Sequence, residues 1–253
     1  MNKTRVIPVL LLRGKGLVKT VKFKDPKYIG DPINSVRIFN EKEVDELVFL
    51  DITATPEGRG PDFDLLADIA GEAFMPMAYG GGVSSLEQVQ RIFALGFEKI
   101  VIDTAAYGAP QLIRDAVAIY GSQSIVGCVD VRRTLLGRYE LHSHAGKTRQ
   151  SVGLLEHVSA LERLGVGEII VNSVDRDGTQ SGYDLKLLLQ VSSAVSVPVV
   201  ACGGASGLDD FVAAVEQGGA SAVAAGSLFV FVGPHRAVLI NYPDRAELAR
   251  RLP

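Results

Sequence analysis

Carboxylates that follow short apolar runs are the residues in this chain best placed to do chemistry. Asp130 closes the run Ser124–Asp130, and Asp175 and Asp177 lie in Asp175-Arg176-Asp177-Gly178-Thr179, directly after the run Glu168–Val174. Asp51 and Asp103 stand in the same way at the ends of two further runs. Carboxylates gathered at the ends of buried strands crowd and desolvate one another, which lifts a pKa toward the range useful for proton transfer. Asp175 is equally well placed to tie down a turn. Asp130, followed by the basic Val131-Arg132-Arg133, is the stronger candidate acid or base.

A second set of residues suits anions. Gly80-Gly81-Gly82 and Gly203-Gly204 end two runs, and Asp103-Thr104-Ala105 and Gly226-Ser227 end the two that follow them. Small residues let backbone N–H groups approach a ligand closely, and a helix starting just beyond them adds a dipole that favours phosphate. The bland reading is that such glycines only make tight turns. Two pairs at equivalent positions, followed by Ser84 and Ser206 as expected N-caps, favour two phosphate sites on opposite sides of one pocket. Gly178 and Asp103 join this binding set.

A third set sits at the other ends of the runs. Arg5, Glu46, Lys99 and Glu168 each begin one, so four charges of alternating sign could form a ring. Spacing alone makes such a ring structural. His142 and His144 flank Ser143 beside Lys147 and Arg149, and without a further ligand nearby they read as part of a solvated basic segment and not a metal site. No metal and no cofactor is expected.

The elements that must hold these residues follow from hydrophobic period. Eight nearly continuous apolar runs occur at regular intervals: Arg5–Leu10, Leu47–Ile52, Met75–Tyr79, Lys99–Asp103, Ser124–Asp130, Glu168–Val174, Val197–Ala201 and Ala222–Gly226. Such runs are strands buried on both faces. Helical spacing lies between them, as in Leu86, Val89, Ile92, Phe93 and in Leu154, Val158, Leu161, Leu164. The chain also repeats itself without a gap. Glu46-Leu47-Val48-Phe49 maps on Glu168-Ile169-Ile170-Val171, and at the same offset Asp62 maps on Asp184, Pro76 on Pro198 and Gly81-Gly82 on Gly203-Gly204. Alternating strands and helices with a twofold repeat predict an α/β fold, a (β/α)₈ TIM barrel built from two duplicated half-barrels at about 1–122 and 123–253 within one domain, residues 1–253. Two excursions, Arg13 to Asn34 and Arg132 to Gln150, follow strand C-termini and are expected to be mobile active-site loops.

Composition narrows the class of partner. At 47% hydrophobic and 22% charged residues, the chain can bury one large core, and a net charge of −3 with mixed signs offers nothing to attract nucleic acid or an anionic membrane. Cys128 and Cys202 lie in apolar runs and read as reduced thiols of a cytoplasmic protein. The N-terminal Val6–Leu12 run is short, contains Pro8 and stops at Arg13, unlike an export signal.

Several of these motifs together carry a resemblance. Phe49-Leu50-Asp51-Ile52-Thr53-Ala54, Gly80-Gly81-Gly82-Val83, Thr104-Ala105-Ala106, Gly121-Ser122-Gln123, Asp175-Arg176-Asp177-Gly178-Thr179 with Ser181-Gly182-Tyr183-Asp184, and Gly203-Gly204-Ala205 resemble the cyclase subunit of imidazole glycerol phosphate synthase nearly end to end. About the last two dozen residues and the stretch Asp25–Asp31 depart from it. The resemblance implies a bisphosphorylated ribonucleotide substrate and a glutaminase that docks on the N-terminal face and sends ammonia through the barrel. It implies that Arg5, Glu46, Lys99 and Glu168 are the ammonia gate, that Asp130 is a catalytic aspartate and that Lys19 lies near the substrate, with Asp177 beside them. One expected catalytic aspartate is missing: Leu11 occupies its place on strand one, while Asp103, Asn172 and Cys202 replace an asparagine, a threonine and a serine. Gate kept and one carboxylate lost looks like the paralogues associated with amidation of sugars in surface-polysaccharide synthesis, where a third enzyme, an amidotransferase, acts on a nucleotide-sugar. The alternatives are an authentic histidine-pathway cyclase, the isomerase of the preceding step, and a non-catalytic ammonia conduit that activates its partners.

Overall fold

The computed structural model describes residues 3–253. Eight parallel strands, Arg5–Arg13, Leu47–Asp51, Met77–Gly80, Lys99–Ile102, Ile125–Arg133, Glu168–Ser173, Val199–Cys202 and Ala222–Ala225, pair in that order, and the eighth returns to the first through Arg5↔Ala222. The barrel is therefore closed, and the fold is a (β/α)₈ TIM barrel. Alternation along each strand sorts its side chains. On strand one Val6, Leu10 and Leu12 face outward to the helices, while Ile7, Val9 and Leu11 face the barrel interior. The interior is filled by Ile7, Val9, Val48, Ala78, Val101, Val126, Cys128, Ile170, Val200, Ala222 and Ala224, an apolar and mostly small-residue bore.

The helices start where side chains can satisfy their free N–H groups. Asp62 accepts from Leu65 N and Asp184 from Leu187 N, both at 3.1 Å, so the repeat positions do the same work before Phe63–Glu72 and Leu185–Ser192. The two expected serine caps are each displaced by one residue. Ser85, not Ser84, caps Leu86–Ala94 and forms a capping box with Gln88, and Gly207, not Ser206, precedes Leu208–Glu216. The glycine turns use one more residue than their spacing suggested, and Ser206 instead donates to Asp210.

The two excursions expected to be mobile loops carry regular β structure. Strand one continues past Leu10 to Arg13 and turns into a hairpin, Gly16–Val21 with Lys24–Gly30. Strand five likewise continues past Asp130 to Arg133 and pairs antiparallel with Tyr139–Ser143, which pairs with Thr148–Arg149. Leu17 and Val18 are buried in the first hairpin and Leu141 in the second, so their apolar residues dock on the barrel rim. A small C-terminal hairpin, Phe231–Val232 with Ala237–Val238, follows strand eight. No described helix is long and apolar enough to cross a membrane.

Candidate active site

The parallel barrel brings all the strand C-termini to one face, and the candidate residues meet there. A pocket of about 1300 Å³, its open mouth included, is lined by Lys19, Asp103, Thr104, Asp130, Asp177, Gly178, Gly81, Gly82, Gly203, Gly204, Gly226 and Ser227. Phe23 from the first hairpin and Ala145 from the second also reach it and form part of its roof. Gly81, Gly82, Gly203 and Gly204 all have positive φ, so both turns fold back in the same way on opposite sides of the mouth.

Asp130 is buried on strand five and accepts one hydrogen bond, 3.1 Å from Asn172 Nδ2 on the adjacent strand six. Burial pushes its carboxyl up to about 7, against that hydrogen bond, which favours the ionised form. Asp103 is held well above the usual carboxylate range by burial first and by the neighbouring Asp130 second. Its Oδ2 accepts from the Thr104 hydroxyl at 3.3 Å, while Oδ1 is buried without a partner. Asn172 Oδ1 is likewise buried and unpartnered. The floor thus holds unsatisfied oxygen acceptors, a demand for a hydrogen-bond donor that a ligand can meet.

Lys19 comes from the first hairpin and points inward, its ammonium donating to Val9 O. Burial lowers its pKa to about 8, opposed by the charge of Asp177. Gly226 leaves room for this position: a Cβ there would lie 2.5 Å from Lys19 Nζ and push the ammonium aside. Asp177 holds this arrangement shut. Its carboxylate accepts from Thr20 Oγ1 at 2.9 Å and Phe23 N at 3.4 Å, and its carbonyl accepts from Lys22 N at 2.9 Å. Asp177 is therefore the latch of the hairpin that carries Lys19.

Other carboxylates are structural. Asp51 pairs with Arg59 at 2.8 Å and accepts from the Thr53 and Ala54 amides, so it builds the loop after strand two. Asp175 leaves the mouth and accepts from Arg133 N at 2.6 Å. Leu11 lines the pocket from strand one, paired with Leu50, and places an apolar surface opposite Asp130. Cys128 and Cys202, read as reduced thiols in apolar runs, line it too, and burial pushes Cys202 up to about 12, so it stays protonated.

At the opposite end of the barrel Arg5 pairs with Glu46 and Glu168, and Lys99 pairs with Glu46 at 2.8 Å and Glu168 at 3.2 Å. Each acid is shared by both bases, so the four form a closed ring. The glutamates are nearly buried, at 5% and 8% side-chain exposure, while Arg5 at 31% and Lys99 at 20% reach the outer face. Among the described residues no group of three or more His, Cys, Asp and Glu could hold a metal ion.

Sequence reasoning named Asn172 only as a departure from a pattern and did not find its bond to Asp130, nor Thr20, the partner of Asp177. The missed signal was register: strand six pairs Asn172 with Asp130.

Residues 5–233 match the sequence profile of the histidine biosynthesis protein family. A Pseudomonas aeruginosa protein provisionally named imidazole glycerol phosphate synthase subunit hisF2 is 54% identical over 96% of this chain and 97% of its own length. Its counterparts, also provisionally named as subunits of that synthase, are 47% identical in Vibrio vulnificus, over 100% of this chain and 97% of their own, and 47% in Leptospira interrogans, over 98% of each. With its barrel closed, its candidate residues gathered at one mouth and its relatives matched nearly end to end, the chain belongs to the histidine biosynthesis protein family.

Proposed function

We propose that this chain is the ammonia-receiving, cyclase-type subunit of a glutamine-dependent synthase, and that it serves the amidation of an acetamido sugar in surface-polysaccharide synthesis. The observation that carries the finer part is Leu11, an apolar side chain in the pocket where a second proton-transfer group would face Asp130. Leucine holds no proton, and the absence of a positioned acid or base typically lowers a rate by about 10²–10⁴-fold. The ring of Arg5, Glu46, Lys99 and Glu168 supports ammonia delivery from a glutaminase docked on the outer face of the ring. Opening the ring exposes a bore of Ile, Val and Ala side chains that admits neutral ammonia and rejects ammonium, because an unpaired ion loses its hydration there. At the mouth Asp130, poised near 7, can take up or return a proton as ammonia leaves the bore.

Turning an acetamido group into an acetamidino group forms a carbon–nitrogen bond and breaks the carbon–oxygen bond of the amide. That oxygen must first be activated, which assigns the activation step to a separate amidotransferase. The names of the relatives favour a second reading, the ring-closing synthase of histidine biosynthesis itself. One assay separates them. Wild-type protein and a Leu11→Asp variant are given the bisphosphorylated ribonucleotide of that synthase with ammonium salts, so that no glutaminase is needed. We expect no turnover by the wild type and measurable turnover by the variant; a wild type active on the ribonucleotide overturns the sugar-amidation reading.

A further inference from the structure

The two glycine turns look alike in sequence, but the structure surrounds them with opposite chemistry. On the side of Gly203, Gly204, Gly226 and Ser227 stands Arg236, carried by the C-terminal hairpin three residues beyond the span that matches the family profile. One guanidinium nitrogen donates to Gly178 O at 3.2 Å and another to Ser227 Oγ at 3.4 Å. Both acceptors belong to residues that line the pocket. The guanidinium lies 4.5 Å from the Phe231 ring centroid, and the Lys27 ammonium of the first hairpin lies 5.5 Å from the same centroid. Arg236 has five donors, and these contacts occupy two, so the fork keeps hydrogen-bonding capacity for an anion resting on Ser227.

On the side of Gly81 and Gly82 the acidic side chain that lines the pocket beside Thr104 is Asp103, while Arg59, the base behind this turn, is already taken by Asp51 and Glu57. Thr104 cannot offset that carboxyl, because its hydroxyl donates to Asp103 at 3.3 Å while its oxygen accepts from His144 N at 3.0 Å. A phosphate placed here would meet a carboxyl oxygen, Asp103 Oδ1, that is buried and lacks a partner. That oxygen calls for a donor, such as an amide N–H or a sugar hydroxyl.

We propose that the pocket is polar end to end, taking one phosphoryl group at the Arg236–Ser227 side and a neutral hydrogen-bond donor at the Asp103 side, and that Arg236 is a substrate-binding residue. The ligand class is a singly phosphorylated or diphosphate-linked sugar with its anionic part at one end, in place of a molecule with a phosphate at each end. This inference rests on the reading of the mouth as a phosphate-binding substrate pocket.

The test is a titration of the full isotope-labelled chain with inorganic phosphate, followed by amide NMR so that the two turns are read separately. In wild type the Gly203, Gly204 and Ser227 amides should shift and saturate while those of Gly81, Gly82 and Thr104 stay put. Arg236→Gln should weaken that binding by about tenfold or more, the scale of a charge-assisted hydrogen bond, and Arg236→Lys should restore part of it. Asp103→Asn, which puts an amide N–H donor beside the other turn and keeps the shape, should open phosphate binding there. Equal saturation of both turns in wild type overturns the asymmetry and leaves the phosphate-pocket reading standing. Unchanged affinity in Arg236→Gln overturns the role of Arg236. No shift at either turn in any variant overturns the phosphate reading itself.

Discussion

At the scale of single residues, the mouth of the barrel keeps groups ready by holding them out of water. Asp130 illustrates the cost. Its folded-state pKa is raised to about 7 from an ordinary 3.8, so the native state binds this proton more tightly than the unfolded chain does. The stability it contributes is intact at low pH and is lost as pH climbs from the ordinary carboxylate range through about 7. Asp130→Asn removes that loss. The variant should be more stable than wild type by on the order of 2–4 kcal/mol at about pH 8, with the difference shrinking as pH falls toward 4, as urea melts across this range would show. The same substitution should lower amidation by about 10²–10⁴-fold if Asp130 transfers a proton. Unchanged amidation with an intact response of the glutaminase would mark the barrel as a conduit. Asp130 was legible as a candidate because a carboxylate closing an apolar run is conspicuous. The bond from Asn172 was not, because it depends on which strand lies beside strand five and in what register.

At the scale of elements, the first hairpin carries Lys19 into the mouth, and what seats it there is local. The contacts of Asp177 with Thr20, Lys22 and Phe23 hold it over the mouth. Asp177→Ala should leave global stability nearly unchanged while hydrogen exchange of amides in Gly16–Gly30 quickens by about tenfold, the loss of one or two hydrogen bonds. Equal protection in both proteins would show that the pairing with strand one suffices. Gly178→Ala tests the same seat from the other side. Gly178 has φ +69°, and a Cβ there would collide with Thr20 O, so the variant should be destabilised by roughly 1–3 kcal/mol and bind the ligand less tightly. Eight strands and most helices were legible because burial on both faces leaves continuous apolar runs. The hairpins were not, since their charged outer residues and glycines read as loop until strands one and five offer edges to pair with.

At the scale of the whole molecule, the two ends of the barrel do different work and the bore joins them. The ring is a closed circuit of four ion pairs, so removing one member leaves its neighbours incompletely paired. Glu168→Gln should cost roughly 1–3 kcal/mol, below the value for a fully buried pair because Arg5 and Lys99 reach solvent. If the ring is the way in for ammonia, the same variant should alter glutamine-driven amidation and leave ammonium-driven amidation at the mouth as it was. A parallel effect on both would make the ring purely structural. The four charges were legible as strand starts, but the sharing of each glutamate by both bases appears only once the barrel closes. Arg236 was not legible at all, since it sits in no periodic element and reaches Gly178 and Ser227 through a turn at φ +49°.

Lys19 has one more consequence, and it concerns reagents more than substrates. An amine with a pKa of about 8 is roughly half unprotonated at that pH, whereas well under about 1% of an ordinary lysine side chain is. Treated briefly with a small aldehyde and a borohydride, the protein should be alkylated on Lys19 ahead of its other lysine side chains, read by peptide mass spectrometry. A ligand filling the mouth should shield that position, so one lysine can serve as an occupancy gauge for the whole pocket.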